Sequence, residues 1–394
     1  MERSDLVEVA RRMIAYARTG TTATHAEGPR RNPIRTYTDP AQFELEKERI
    51  FGQSPQLLCF SSDLPGPGDY RTHDDLGIPI VVVRTASGEV RAFLNSCAHR
   101  AMRVAEGEGR GIRNFQCPYH AWTYDLDGRL TGIHKANTFG KVDASCYGLT
   151  PLPCREKYGL VYVSPRPELE FEIDDHLGAL GPELGSWGLE KASFIEEGVW
   201  DLASNWKLAL DTFCEGYHFG PLHPETIAPV AMTNTMTYDR YGVEGEHHRL
   251  GFPLKSLLDL ADKPEAEWGD PHAHFNFVYF IFPNISMLVS PGEVEFFQLY
   301  PGASVGEHRT RYRAYTRRTP ENDEAREAAR EHFRFIFEVV DREDYRVSAA
   351  VQRNFSTGLQ SHTTFGSNEP SLINMHRTFR RRAGLPLVDE PAPE

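Results

Sequence analysis

Two short pairs of metal-binding side chains stand out: Cys97-Ala98-His99 and, beyond residues 100–116, Cys117-Pro118-Tyr119-His120. Two thiols and two imidazoles on two loops make a four-point metal site. Zinc accepts that donor set, and so does a [2Fe–2S] cluster in which both imidazoles ligate one iron. Zinc fingers favour two cysteines on one loop and two histidines on a helix. Here each loop carries one of each, which points to the iron–sulfur cluster.

A second group lies in Asn205-Trp-Lys-Leu-Ala-Leu-Asp211-Thr-Phe-Cys-Glu215-Gly-Tyr-His218-Phe-Gly-Pro-Leu-His223-Pro. A helix is predicted over Asn205–Phe219, which would place Asp211, Glu215 and His218 on one face. Pro221 and Pro224 end it, so His223 falls on the following turn and folds back towards His218. Two neutral imidazoles and one carboxylate, with open positions left over, form the ligand set on which non-haem ferrous iron activates O2. An isolated pair of this spacing is more often a surface pair; the four-point site upstream favours the metal.

The elements that must position these groups change character along the chain. Residues 1–20 read as a helix, with Leu6, Val9, Ala10, Met13 and Ile14 at helical spacing, and 21–40 as an extended arm. Short apolar runs at Gln56–Phe60, Pro79–Arg84, Val90–Asn95 and Leu160–Val163, cut by glycine and proline turns, predict a small all-β unit. Beyond it, Phe275–Phe282, Ile285–Ser290, Glu293–Tyr300 and Arg309–Thr316 read as strands of one antiparallel sheet. Helices follow over Asn322–Val340 and Asp341–Arg353. The expected layout is an N-terminal helix and arm (1–48) packing on the catalytic domain, a cluster domain (49–166), a catalytic domain (167–385) and a disordered tail (386–394). The fold class is α+β.

The 394 residues, 40% of them hydrophobic and 25% charged, suit a two-domain globular protein. A net charge of −13 argues against a nucleic-acid partner, which would need clustered Lys and Arg. No run is long enough to span a membrane, and Met1–Arg18 has no secretory h-region. Six cysteines are too few for a disulfide scaffold, so a reducing, cytoplasmic setting is expected. Cys59, Cys146, Cys154 and Cys214 read as packed thiols.

The chain around the first site, residues 97–100 and 117–124, resembles the Rieske motif, with Ala121 where that family often has Gly. The second segment resembles the N-W-K, acidic residue, Y-H-x4-H pattern of Rieske non-haem iron oxygenases, in their terminal oxygenase (alpha) subunit of aromatic ring-hydroxylating type. The resemblance covers most of the chain. It implies a Rieske [2Fe–2S] domain followed by a helix-grip catalytic domain. Cys97, His99, Cys117 and His120 would then hold the cluster, and His218 and His223 the mononuclear Fe(II). The third ligand would be a carboxylate on the C-terminal helix: Asp344, after Glu343 and before Gln352, with Asp341 as its rival. Glu215 matches the acid that links the two metal centres, bonding His120 of one subunit and His218 of the next. Many members have Asp there; a subset that includes carnitine-type oxygenases has Glu. Asp211 is a second catalytic candidate.

By the same resemblance, a separate reductase or ferredoxin delivers electrons, since the chain has no flavin or nicotinamide fingerprint. A head-to-tail homotrimer is implied, with a small second subunit still open. The substrate would be a small organic molecule, an aromatic ring first, with monooxygenation or demethylation of a quaternary amine as the alternative. Phe275, Phe277, Phe282, Phe297, Leu299, Asn284 and His248 are pocket candidates. A competing function from another class is a Rieske electron carrier whose second domain only binds a ligand.

Overall fold

Val, Ile and aromatic residues in short runs, cut by Gly and Pro, form antiparallel sheets in each of two compact units. The computed structural model describes residues 1–388 and 390–392. One unit comprises Phe51–His176 and Gly188–Lys191; the other comprises Met1–Ile50, Leu177–Trp187 and Ala192–Glu394.

The smaller unit contains the expected β elements, at Gln56–Phe60, Ile80–Arg84, Val90–Leu94 and Leu160–Val163. A hairpin pairs Phe115 with Tyr124 and Gln116 with Thr123, so Cys117–Trp122 is its tip. The core beneath it gathers Val81, Val83, Phe93, Phe115, Tyr124 and Leu130 together with both site cysteines.

The larger unit is built on seven antiparallel strands: β1 (Ser193–Leu202), β2 (Thr237–Tyr241), β3 (His247–Pro253), β4 (Phe275–Ile281), β5 (Ile285–Val289), β6 (Glu293–Pro301) and β7 (His308–Thr316). Their order across the sheet is β1-β7-β6-β5-β4-β3-β2. The four strands expected from sequence are β4–β7. Directly opposed residues share a face, so the registers sort the side chains. Thr237, Gly251 and Phe277 lie on one face. The helix α1 (Arg3–Thr19) covers it so closely that a Cβ on Gly251 would strike Met13.

The other face is covered by α2 (Trp206–Asp211), α3 (Asp323–Val339) and α5 (Pro370–Arg382), and α4 (Arg346–Phe355) packs on α2. Phe333 of α3 stacks on Tyr312 at 4.8 Å, and Phe379 of α5 meets Phe280 at 5.9 Å. One π-helical turn, Val340–Tyr345, joins α3 to α4 without a break. Asn322 caps α3 by accepting from the Ala325 amide.

The N-W-K triplet explains how α2 is anchored. Asn205 is its N-cap, accepting from the Lys207 amide, and donates to the Val305 carbonyl at 2.8 Å. Trp206 is fully buried against Phe379. Lys207 is fully buried too and ion-pairs with Glu46, which also accepts from Gln42 at 2.8 Å. Removing one partner of a buried pair leaves the other charge uncompensated. Glu46→Ala is therefore expected to destabilise the larger unit by about 3–5 kcal/mol. A denaturant melt that matches the wild type would show that Lys207 needs no counter-charge.

The N-terminal arm joins this unit. Arg30–Pro33 pairs with His362–Phe365, and Arg30 and Arg31 pair with Pro391 and Glu390. The stretch 386–394, expected to be a disordered tail, thus contains a short strand at Glu390–Pro391; residues 389, 393 and 394 lie outside the described ones. No helix among the described residues is long and apolar enough to cross a membrane.

Candidate metal centres

In the smaller unit the two motif loops fold alike. The Ala101 amide bonds the Cys97 carbonyl, and the Ala121 amide bonds the Cys117 carbonyl, at 2.8 and 2.9 Å. Ala101 and Ala121 both take left-handed backbone, with φ of 59° and 56°. That conformation costs an L-residue about 1–2 kcal/mol, which is a physical reason for Gly at the position of Ala121.

Cys97 and Cys117 are buried, whereas His99 and His120 are half-exposed. The Tyr119 and His120 amides point at the Cys117 sulfur, although burial leaves its thiol raised overall. The Tyr124 hydroxyl lies 3.2 Å from the Cys97 sulfur and accepts from the Ala98 amide. The imidazole rings of His99 and His120 are 4.6 Å apart, and Trp122 stacks on His99 at 5.0 Å. His120 Nδ1 is buried without a hydrogen-bond partner. Donors aimed at a sulfur and an orphaned imidazole nitrogen fit a cluster with thiolate and imidazole ligands.

In the larger unit, the donor atoms of His218, His223 and Asp344 lie within 4.8 Å of one another. His218 Nε2 and His223 Nε2 stand 3.5 and 3.4 Å from the same Asp344 oxygen. The outer nitrogens are held by carboxylates: Glu215 bonds His218 Nδ1 and Glu343 bonds His223 Nδ1. Glu343 also accepts from the Thr226 hydroxyl at 2.9 Å. This is the arrangement by which carboxylates orient metal-binding histidines and fix their tautomers. Burial opposes protonation of His218, but Asp344 and Glu215 outweigh it and raise its pKa to about 9. The pocket thus favours positive charge. Two imidazoles and a carboxylate converging this way suit a ferrous ion.

The expected helical face does not exist. The helix ends at Asp211, and residues 212–218 turn before a short helical turn at Phe219–Leu222. The cause is Glu215, whose carboxylate accepts the Tyr217 and His218 amides and so takes the place of helical bonding. Asp211 is also corrected: it does not join the metal-facing groups. It accepts from the Tyr37 hydroxyl at 2.7 Å and bonds His376 Nε2 at 2.8 Å, tying α2 to the arm and to α5. Asp341 is exposed, while Asp344 is buried beside the two histidines. Gln352 holds the Asn205 amide and the Tyr37 carbonyl.

Two carboxylates escaped the sequence argument. Glu343 was read only as the neighbour of Asp344; its partner His223 is 120 residues away. Glu369 is raised to about 7 by burial and by the charges of Glu215 and Asp211. Of the pocket candidates, Phe275 and Phe277 face away from the site, packing with each other and with His272. The Asn284 amide is spent on the Leu299 carbonyl. Among the four thiols read as packed, Cys146 is exposed.

A positioning carboxylate is expected to matter nearly as much as a ligand. Glu343→Gln should weaken iron binding at the His218 site by about 10–100-fold, with the cluster spectrum unchanged. Chelator competition measures it; unaltered affinity would mean that His223 is oriented without Glu343.

Residues 54–147 match the Rieske [2Fe-2S] domain, and residues 189–384 match the catalytic domain of the ring hydroxylating alpha subunit. The chain belongs to the Rieske oxygenase alpha-subunit family. It is 34% identical over 216 residues to the carnitine monooxygenase oxygenase subunit of Escherichia coli K12, covering 53% of this chain and 54% of that one. It is 35% identical over 196 residues to the biphenyl 2,3-dioxygenase alpha subunit of Rhodococcus jostii RHA1, covering 47% and 42%. The chain thus spans about half the length of the curated relatives it matches. In fold it is similar to a quaternary ammonium Rieske monooxygenase, with a TM-score of 0.77 at 22% identity over 90% of this chain and 95% of that one.

Proposed function

We propose that the chain is the oxygenase component of a multicomponent Rieske oxygenase that hydroxylates a small aromatic substrate with O2. One observation carries this reading: His218, His223 and Asp344 converge from distant parts of the chain, each histidine backed by its own carboxylate. Cys97, His99, Cys117 and His120 would hold the cluster, and His218, His223 and Asp344 the mononuclear iron. When bound, the cluster supplies one-electron transfer and the ferrous ion supplies O2 activation.

The protein's own contribution is placement and charge. Glu215 and Glu343 lock the imidazoles with Nε2 turned inward. Asp344 supplies one negative charge between them. The buried Cys97 and Cys117 would hold the cluster from the interior, and the half-exposed His99 and His120 would hold it from the surface side. Glu215 then links that side, on a neighbouring subunit's His120, to His218. Electrons come from a separate reductase or ferredoxin, and a head-to-tail ring of three copies closes the relay. A small second subunit is compatible with it. Monooxygenation of a quaternary amine is the second reading, favoured by the likeness to carnitine monooxygenase.

The test is a substrate screen with a surrogate reductase, reading O2 uptake and product together. Coupled turnover is expected with aromatic substrates. Reduction of the cluster without substrate-dependent O2 uptake by any compound would leave an electron carrier instead.

A further inference from the structure

A second group of converging metal-binding side chains lies in the larger unit, apart from His218, His223 and Asp344. Glu293, Glu295 and His332 each offer one donor atom, and these atoms lie within 4.8 Å of one another. Glu293 and Glu295 alternate along the start of β6, so they share a face with Phe297. Phe297 stacks on Tyr312 at 4.4 Å, and Tyr312 stacks on Phe333 of α3 at 4.8 Å. That face therefore lies under α3, where His332 precedes Phe333.

His332 Nε2 stands 3.1 Å from a Glu293 oxygen and 3.1 Å from a Glu295 oxygen. An imidazole nitrogen carries one N–H and can aim it well at one acceptor; here Glu295 takes the hydrogen bond. Both separations exceed the about 2.7–2.9 Å of a charge-assisted N–H···O bond. They approach the roughly 3.3 Å between neighbouring donors on a four-coordinate zinc ion with bonds of about 2.0–2.1 Å. At the mononuclear centre the Asp344 oxygen stands at comparable distances, 3.5 and 3.4 Å, from the two histidines.

Two carboxylates here share one imidazole, so the group stays negative even when His332 is protonated. Glu295 is only 3% exposed, and a carboxylate so buried needs compensation. Burial and the adjacent Glu295 raise the Glu293 carboxyl against the pull of His332. On α3, Arg330 is drawn to Glu196 and Glu327, and Arg334 to Glu327. An independent sign is the Tyr312 hydroxyl, which is buried without a hydrogen-bond partner. Burial apart, the groups that act on it are Glu295 and then Glu293, so it faces this cluster. A water on a bound cation would give it the partner that buried hydroxyls almost always have.

We propose that Glu293, Glu295 and His332 bind a divalent ion of the zinc class, at a second metal site that pins α3 to the start of β6. One imidazole with two carboxylates suits zinc, whereas magnesium and calcium take all-oxygen sets. Since α3 runs through the π turn into Glu343 and Asp344, the ion would brace the element that carries them. None of the three residues is used by the oxygenase function, so the two proposals stand or fall separately.

Zinc uptake by the full-length, cluster-containing Asp344→Ala protein tests it, because the mononuclear centre there lacks its carboxylate. Equilibrium dialysis against micromolar zinc, with excess magnesium, should load about one zinc ion per chain at this site. His332→Gln and Glu293→Gln, each in that background, should weaken its binding by about 100-fold or more, since even a residue that only orients a ligand is worth about 10–100-fold. X-ray absorption at the zinc edge should show nitrogen and oxygen donors without sulfur, unlike zinc held by Cys97 and Cys117. Zinc should also raise the melting temperature of the iron-loaded wild type and leave that of His332→Gln unchanged. If His332→Gln fails to fold, the partly exposed Glu293 decides through Glu293→Gln. The proposal is overturned if zinc binds only at millimolar concentration, if its donors include sulfur, or if these substitutions leave its affinity intact.

Discussion

Asp344→Ala is expected to empty the mononuclear site while leaving the cluster spectrum unchanged. Both inward imidazole nitrogens face one oxygen of this carboxylate, so its removal leaves two neutral ligands and no anion to balance a divalent ion. Loss of a carboxylate that merely orients a ligand costs about 10–100-fold in affinity, and loss of a ligand should exceed that. The proposed cluster ligands lie in the other compact unit, so the visible spectrum is an internal control. Metal analysis of the purified variant reads the result. Iron retained in Asp344→Ala but lost in Asp341→Ala would invert the ligand assignment, against the exposure of Asp341.

The second large effect is on electron delivery. Glu215→Gln should keep the cluster and weaken iron binding no more than Glu343→Gln does; loaded with saturating iron, it should still slow substrate- and O2-dependent oxidation of the reduced cluster by about 10–100-fold. One Glu215 oxygen bonds His218 Nδ1, and the other takes the Tyr217 and His218 amides. A glutamine keeps the shape and one acceptor but loses the charge and must present an N–H on one side. If the linking role is wrong, single-turnover traces of the variant will overlay the wild type.

How the sequence announced this site differs from residue to residue. The Cys/His pairs and the His218/His223 spacing are short-range patterns, and each falls on a loop or turn whose local bonding keeps the order of the chain. Asp344 was readable only through the family resemblance, from Glu343 before it and Gln352 downstream, with Asp341 as its rival. The break after Asp211 was not, because Glu215 looks like any helical acid until its carboxylate turns back onto the amides at 217 and 218. The π turn at Val340–Tyr345 was equally silent. It has no residue code of its own, yet it puts Glu343 and Asp344 side by side on the histidines. The roles of Asp211 and Glu343 depend on partners more than a hundred residues away, Tyr37 and His376 for one and His223 for the other. Four strands of the larger sheet, β4–β7, were legible from their β-branched and aromatic runs; β1, β2 and β3 were not. Which face each side chain takes needed the registers, and that is what separates Phe277 from Phe297.

One chain is expected to hold both a cluster and a separate mononuclear ion. Iron and acid-labile sulfide, measured per chain on protein prepared without oxygen, test it most directly. About three irons and two sulfides are expected, from one [2Fe–2S] cluster and one ferrous site. About two irons with two sulfides, or stoichiometric zinc with no sulfide, would contradict it.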